Sequence, residues 1–96
     1  MSSGTFDLAV QWINSNKKAL ERLPQEQQEK LYGLFKVATV GPNNTPQPYF
    51  WQVVETAKWQ AWTKYSTLSS DKAKEEYVKR VELIKEWKRK TDQLAQ

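Results

Sequence analysis

Leu31, Leu34, Phe35 and Ala38 stand at i, i+3, i+4 and i+7 of one uninterrupted run, a spacing that one face of an α-helix satisfies and an alternating strand does not. The same period returns in Phe6, Ala9, Val10 and Ile13, and again in Ala73, Tyr77, Val81, Ile84 and Trp87. No segment alternates with the period of a strand, and no internal repeat or low-complexity stretch is present. The pattern predicts an all-α domain with four helices packed through these stripes.

The first helix is expected over about residues 5–16, with Thr5 or an earlier serine as its cap. From Asn14 to Pro24 polar and basic residues surround Leu20 and Leu23, and a proline is tolerated only near a helix start, so this stretch reads as a loop. A second helix follows over about residues 25–40, and Gly41 suits the left-handed position just beyond its end. Pro42, Asn43, Asn44, Pro46 and Pro48 supply turn chemistry. The aromatic exit of that loop, Tyr49-Phe50-Trp51, is too apolar for a disordered tether and is expected to fold back on the domain.

The third helix spans about residues 52–65. Ser69 or Ser70 caps the fourth, with Asp71 favourably placed in its first turn. Glu75 with Lys79, Glu76 with Arg80 and Glu86 with Lys90 are i, i+4 pairs on its outer face.

With 96 residues the chain supports one domain, residues 1–96. It contains neither cysteine nor histidine, which removes disulfides, thiolate nucleophiles, histidine bases and the commonest zinc sites. No carboxylate lies in an apolar stretch that would raise its pKa toward a catalytic value. An enzyme, a metal site and a cofactor are therefore not expected. The net charge of +4 favours anionic partners. No apolar run has the length of a membrane span and no signal peptide is evident, so a soluble, cytoplasmic monomer is expected.

Two segments place lysine beside aromatic rings at helical spacing. Tyr32 and Lys36 stack one turn apart on the flank of the Leu31 stripe, and Ala57-Lys58-Trp59-Gln60-Ala61-Trp62 repeats the mixture. Cations edging an apolar surface suit a ligand that carries phosphate at one end and an apolar group at the other. Trp59 and Trp62 read first as core packing. Lys58 reads equally as exposed rim or ligand contact, and Tyr77 is a residue the fourth stripe can simply bury. The basic run Lys85, Lys88, Arg89 and Lys90 is interleaved with Glu82, Glu86 and Asp92, which marks a solvated face rather than a nucleic-acid patch. Lys17 and Lys18 offer an anionic membrane only weak, salt-sensitive attraction.

These motifs resemble those of the acyl-CoA-binding protein family, whose hallmark is Tyr-x-x-Tyr-Lys-x-Ala-Thr-x-Gly, then a proline-containing loop and a Lys-Trp-x-Ala-Trp helix. Here the first reads Tyr32-Gly33-Leu34-Phe35-Lys36-Val37-Ala38-Thr39-Val40-Gly41 and the second Lys58-Trp59-Gln60-Ala61-Trp62. Pro48, Phe50 and Trp51 fit the loop of several members, and Phe6 and Tyr77 match an early phenylalanine and a late tyrosine. The match covers about residues 5–88, and the motifs are specific in combination.

The resemblance implies an antiparallel, up-down-down-up four-helix bundle that binds long-chain acyl-CoA thioesters and carries them without chemistry. It also implies that Tyr32, Lys36, Lys58 and Tyr77 contact the nucleotide end, the lysines taking phosphate. Phe35 stands where many members have a second tyrosine, keeping a ring without its hydroxyl. Asn14 stands near a position often held by lysine, and Glu55-Thr56 replaces a pair that is often glycine and a basic residue. Two alternatives stay open: a helical module that holds a partner peptide on its aromatic surface, and an acyl-CoA hydrolase, which lacks a paired nucleophile and base.

Overall fold

A computed structural model describes residues 2–95, with side chains from Gly4 onward. Five helices follow one another: α1 (Ser2–Ser15), α2 (Lys17–Glu21), α3 (Gln25–Thr39), α4 (Val53–Lys64) and α5 (Ser70–Ala95). Four are the expected long helices. The fifth, α2, corrects the reading of Asn14–Pro24 as a loop. Lys-Lys-Ala-Leu-Glu consists of good helix formers, and the turn buries Ala19 and half-buries Leu20. Thr5 lies inside α1 rather than capping it, and the alternative serine caps fall outside the described side chains.

Chain direction follows from which residues meet. Phe6 packs on Tyr77 and Trp12 lies under Lys85, so α1 and α5 run the same way. Tyr32 meets Lys58 and Lys36 meets Trp62, so α3 and α4 are also parallel. Ser70 donates to the Val37 carbonyl and Arg80 to Gln27, so α5 runs against α3. The order is up-down-down-up, and the residue 40–52 loop makes the long return that two successive parallel helices require.

The Cα trace measures 46 × 36 × 17 Å. A slab so thin encloses few side chains completely, and Val37 and Val81 are the largest that reach that state among the described residues. α3 is the central helix because it packs on both α4 and α5. It therefore buries Leu31, Gly33, Leu34, Val37 and Ala38, a wider arc than the four-residue stripe predicts. Phe35, expected within that stripe, is half-buried at its margin.

α3 and α4 approach backbone to backbone at one point. A Cβ on Gly33 would lie 2.4 Å from the Ala61 carbonyl oxygen and 2.9 Å from the Tyr65 ring, closer than atoms pack. Gly41 is glycine for the other reason: its φ is 105° in open space, and its N–H donates to the Lys36 carbonyl as the helix ends.

Ser69 caps α5 by accepting from the Lys72 N–H. Of the three expected pairs on α5, Glu86–Lys90 forms at 4.0 Å. Glu75 and Glu76 instead turn back to Lys72, each at 3.5 Å, and Glu76 also meets Lys79. Arg80 is drawn to the α3 seam, where it donates to Gln27. The aromatic exit departs most from expectation: Tyr49, Phe50 and Trp51 are 67%, 87% and 63% exposed. They pack on one another, not on the core.

Candidate functional site

The close crossing at Gly33 and Ala61 sets the site. One residue before Gly33, Tyr32 reaches α4, and Lys58 places its ammonium 5.5 Å from the Tyr32 ring centre. Three residues after Gly33, Lys36 holds its ammonium 4.6 Å above the Trp62 ring. Both lysines thus rest on aromatic faces, an attraction of about 0.5–2 kcal/mol that leaves the formal charge unneutralised. Among the described residues neither has a carboxylate within ion-pair distance, and the ion pairs lie along α5.

Tyr32, Lys58, Trp59 and Trp62 form a cleft of about 220 Å³ with Pro46, Pro48 and Glu55. Its far wall is the loop, held in place by indole and amide hydrogen bonds. The Trp62 Nε1 donates to the Gly41 carbonyl at 2.7 Å, and the Trp59 Nε1 to the Thr45 carbonyl at 3.0 Å. Asn43 ties the same loop to α4. Its Nδ2 donates to the Trp59 carbonyl and to Thr63, its backbone N–H donates to Ser66, and its Oδ1 accepts from Thr45. Trp62 is buried as expected, whereas Trp59 is half-buried and serves the cleft.

On the other side of Tyr32 lies an apolar groove of about 320 Å³, lined by Val10, Ile13, Leu20, Leu31, Phe35 and Tyr77. Asn14 and Gln28 are its polar edges. Phe35 and Tyr77 form an aromatic cluster with Phe6, their ring centres 5.2–6.3 Å apart. Tyr77 is 3% exposed, and burial pushes its hydroxyl up to about 12, so the ring enters any chemistry at neutral pH as an uncharged wall.

The structure gathers the expected site residues into two adjoining groups. Tyr32 and Lys58 line the cleft and Lys36 lies on its Trp62 wall, Phe35, Tyr77 and Asn14 line the groove, and Tyr32 lines both hollows. Tyr77, which the resemblance puts at the nucleotide end, lines the groove. Cationic cleft and apolar groove thus meet at Tyr32, and no metal-binding cluster is present among the described residues. Sequence reasoning missed Asn43, whose role depends on partners 16–23 residues away, and Leu20, assigned to a loop.

Comparison with known proteins closes the question of kinship. Residues 3–81 match the model of a family described as Acyl CoA binding protein. Acyl-CoA-binding protein homolog 3 of Caenorhabditis elegans is 36% identical over 75 residues, 77% of this chain and 65% of that protein. Acyl-CoA-binding domain-containing protein 4 of Oryza sativa is 34% identical over 83 residues, and acyl-CoA-binding domain-containing protein 2 of Arabidopsis thaliana 41% over 58. The chain spans only 25% and 16% of those two plant proteins. The crystal structure of Oryza sativa acyl-CoA-binding protein 2 superposes with a TM-score of 0.78 at 28% identity, covering 88% of this chain and 89% of that one. On its sequence and on its fold, the chain belongs to the acyl-CoA-binding protein family.

Proposed function

We propose that this chain is a single acyl-CoA-binding domain that holds long-chain fatty acyl-CoA thioesters and carries them through the cytoplasm as a non-catalytic monomer. The observation that carries the reading is the juxtaposition of two lysines lying on aromatic rings, neither in an ion pair, and an apolar groove that shares Tyr32 with the cleft of Lys58. In this reading Lys36 and Lys58 take the phosphates of the CoA, and Tyr32 with the neighbouring rings takes the adenine. The acyl chain lies in the groove against Phe35, Tyr77, Val10 and Leu20, with Asn14 at its mouth.

The two ends of the ligand have different energetic roles. Phosphate on an unpaired ammonium fixes orientation, and a charge-assisted contact contributes about 1.5–3 kcal/mol. Each buried methylene adds up to about 0.8 kcal/mol before ordering costs, so affinity rises with chain length. The chain has neither cysteine nor histidine to serve the thioester as nucleophile or base.

Titration calorimetry tests this directly. Palmitoyl-CoA binds at least about a hundredfold more tightly than free CoA or palmitate, and shorter acyl-CoAs fall between. Equal affinity for CoA and palmitoyl-CoA removes the groove from the reading, and no binding of either removes the reading itself.

A further inference from the structure

Beyond the cleft, the surface carries an apolar projection that nothing above uses. Tyr49, Phe50 and Trp51, followed by Val53 and Val54 at the start of α4, are each more than half exposed. Scattered exposed apolar residues are ordinary, but five within six positions form a contiguous patch of the kind that marks an interaction surface. The projection is ordered. Tyr49 and Trp51 stack in parallel at 4.7 Å, and Phe50 meets the Trp51 ring edge-on at 5.1 Å.

Three hydrogen bonds brace the turn. The Gln52 N–H donates to the Tyr49 carbonyl, the Tyr49 N–H donates to the Gln52 side chain, and Thr56 donates its backbone N–H to the Gln52 carbonyl.

Composition and charge select the partner. Tyrosine and tryptophan are the residues that settle at a bilayer interface, ring inward and polar atom outward. From residue 30 to residue 70 the chain carries Lys30, Lys36, Lys58 and Lys64 against the single carboxylate Glu55, so this segment holds most of the net charge of +4. Pro48, next to Tyr49, lines the cleft together with Lys58, which puts the projection beside one of those cations. A protein partner of matching shape requires no such basic excess, whereas an anionic membrane attracts it. No helix among the described residues is long and apolar enough to cross a membrane.

We propose that residues 49–54 form a peripheral docking tip that enters the headgroup layer of an anionic bilayer. The tip rests on its own chemistry and needs no occupant in the cleft.

Co-sedimentation of the full chain with phosphatidylcholine vesicles, with and without about 30% phosphatidylserine, tests it alongside the double variant Phe50→Ser, Trp51→Ser. The expected result is sedimentation with phosphatidylserine vesicles, reduced about tenfold or more in the variant. The variant retains its helical circular dichroism and binds palmitoyl-CoA within about twofold of the parent chain. Absence of sedimentation overturns the proposal, as does equal binding by the variant. Self-association of the parent chain that these substitutions abolish overturns it in favour of a second copy. Stoichiometric retention of a protein on this patch without vesicle binding overturns it in favour of a protein partner. Palmitoyl-CoA binding without vesicle binding sinks the tip alone, and the reverse sinks only the cleft reading.

Discussion

The outer face of α5 and the face shared by α3 and α4 both carry lysines, but they hold them differently. Along α5 the cations meet carboxylates one turn away: Lys72 with Glu75 and Glu76, Lys85 with Glu82, Arg89 with Glu86, Lys88 with Asp92. The Glu75 carboxylate, with Glu76, raises the pKa of the Lys72 ammonium. On the other face Lys36 and Lys58 stand on rings of the neighbouring helix. A cation already matched by an anion gains little from a second one, whereas a cation held by a quadrupole keeps its full charge for a ligand. The local partners of a lysine, more than the number of lysines, thus decide how much charge a face offers to an anion.

The sharpest way to break this contrast is to remove both ring-borne charges. Lys36→Ala with Lys58→Ala lowers palmitoyl-CoA affinity by about 3 kcal/mol, roughly a hundredfold, and flattens its salt dependence. Helical circular dichroism stays unchanged. Unaltered affinity in calorimetry removes the distinction between the faces.

Next in size is Gly33→Ala, which forces a methyl against the Ala61 backbone and costs about 1–3 kcal/mol in urea denaturation. Because the crossing sets the reach of Lys58 to Tyr32, ligand affinity falls with it. A variant of parental stability shows that α3 and α4 separate without strain. The smallest effect belongs to Lys88→Ala on α5, where an exposed pair contributes at most about 0.5–1 kcal/mol to stability. Its palmitoyl-CoA affinity stays within about twofold of the parent chain. A large loss of affinity there brings α5 into the site and sharpens the boundary between the faces.

α1, α3 and α5 were readable because each carries a sustained apolar period, whereas α4, whose apolar residues are spread around the helix, was bounded by the proline loop before it and the serines after it. α2 was not readable, since five residues give no period to recognise, and burial of Ala19 comes from its neighbours. The coexistence of Tyr32, Lys36 and Lys58 was legible as composition. Their pairing was not, because it is made between helices, and Gly33 gives no sign in sequence of whether it serves a turn or a crossing. Tyr49-Phe50-Trp51 shows the opposite error. Apolar character tells what a segment avoids in water but not which surface it will meet, and these rings shelter one another instead of joining the core. On α5 the i, i+4 rule correctly gave the charges a local role but named the wrong partners for Glu75 and Glu76, because Lys72 lies within one turn of both.

The ammonium of Lys36 above Trp62 also bears on how the molecule is observed. The indole is nine-tenths enclosed and tethered through its N–H to Gly41, so its ring cannot reorient while the charge on its face is free to leave. An anion that draws Lys36 away changes the electric field across a stationary chromophore, which gives the protein an intrinsic optical readout of occupancy that needs no label.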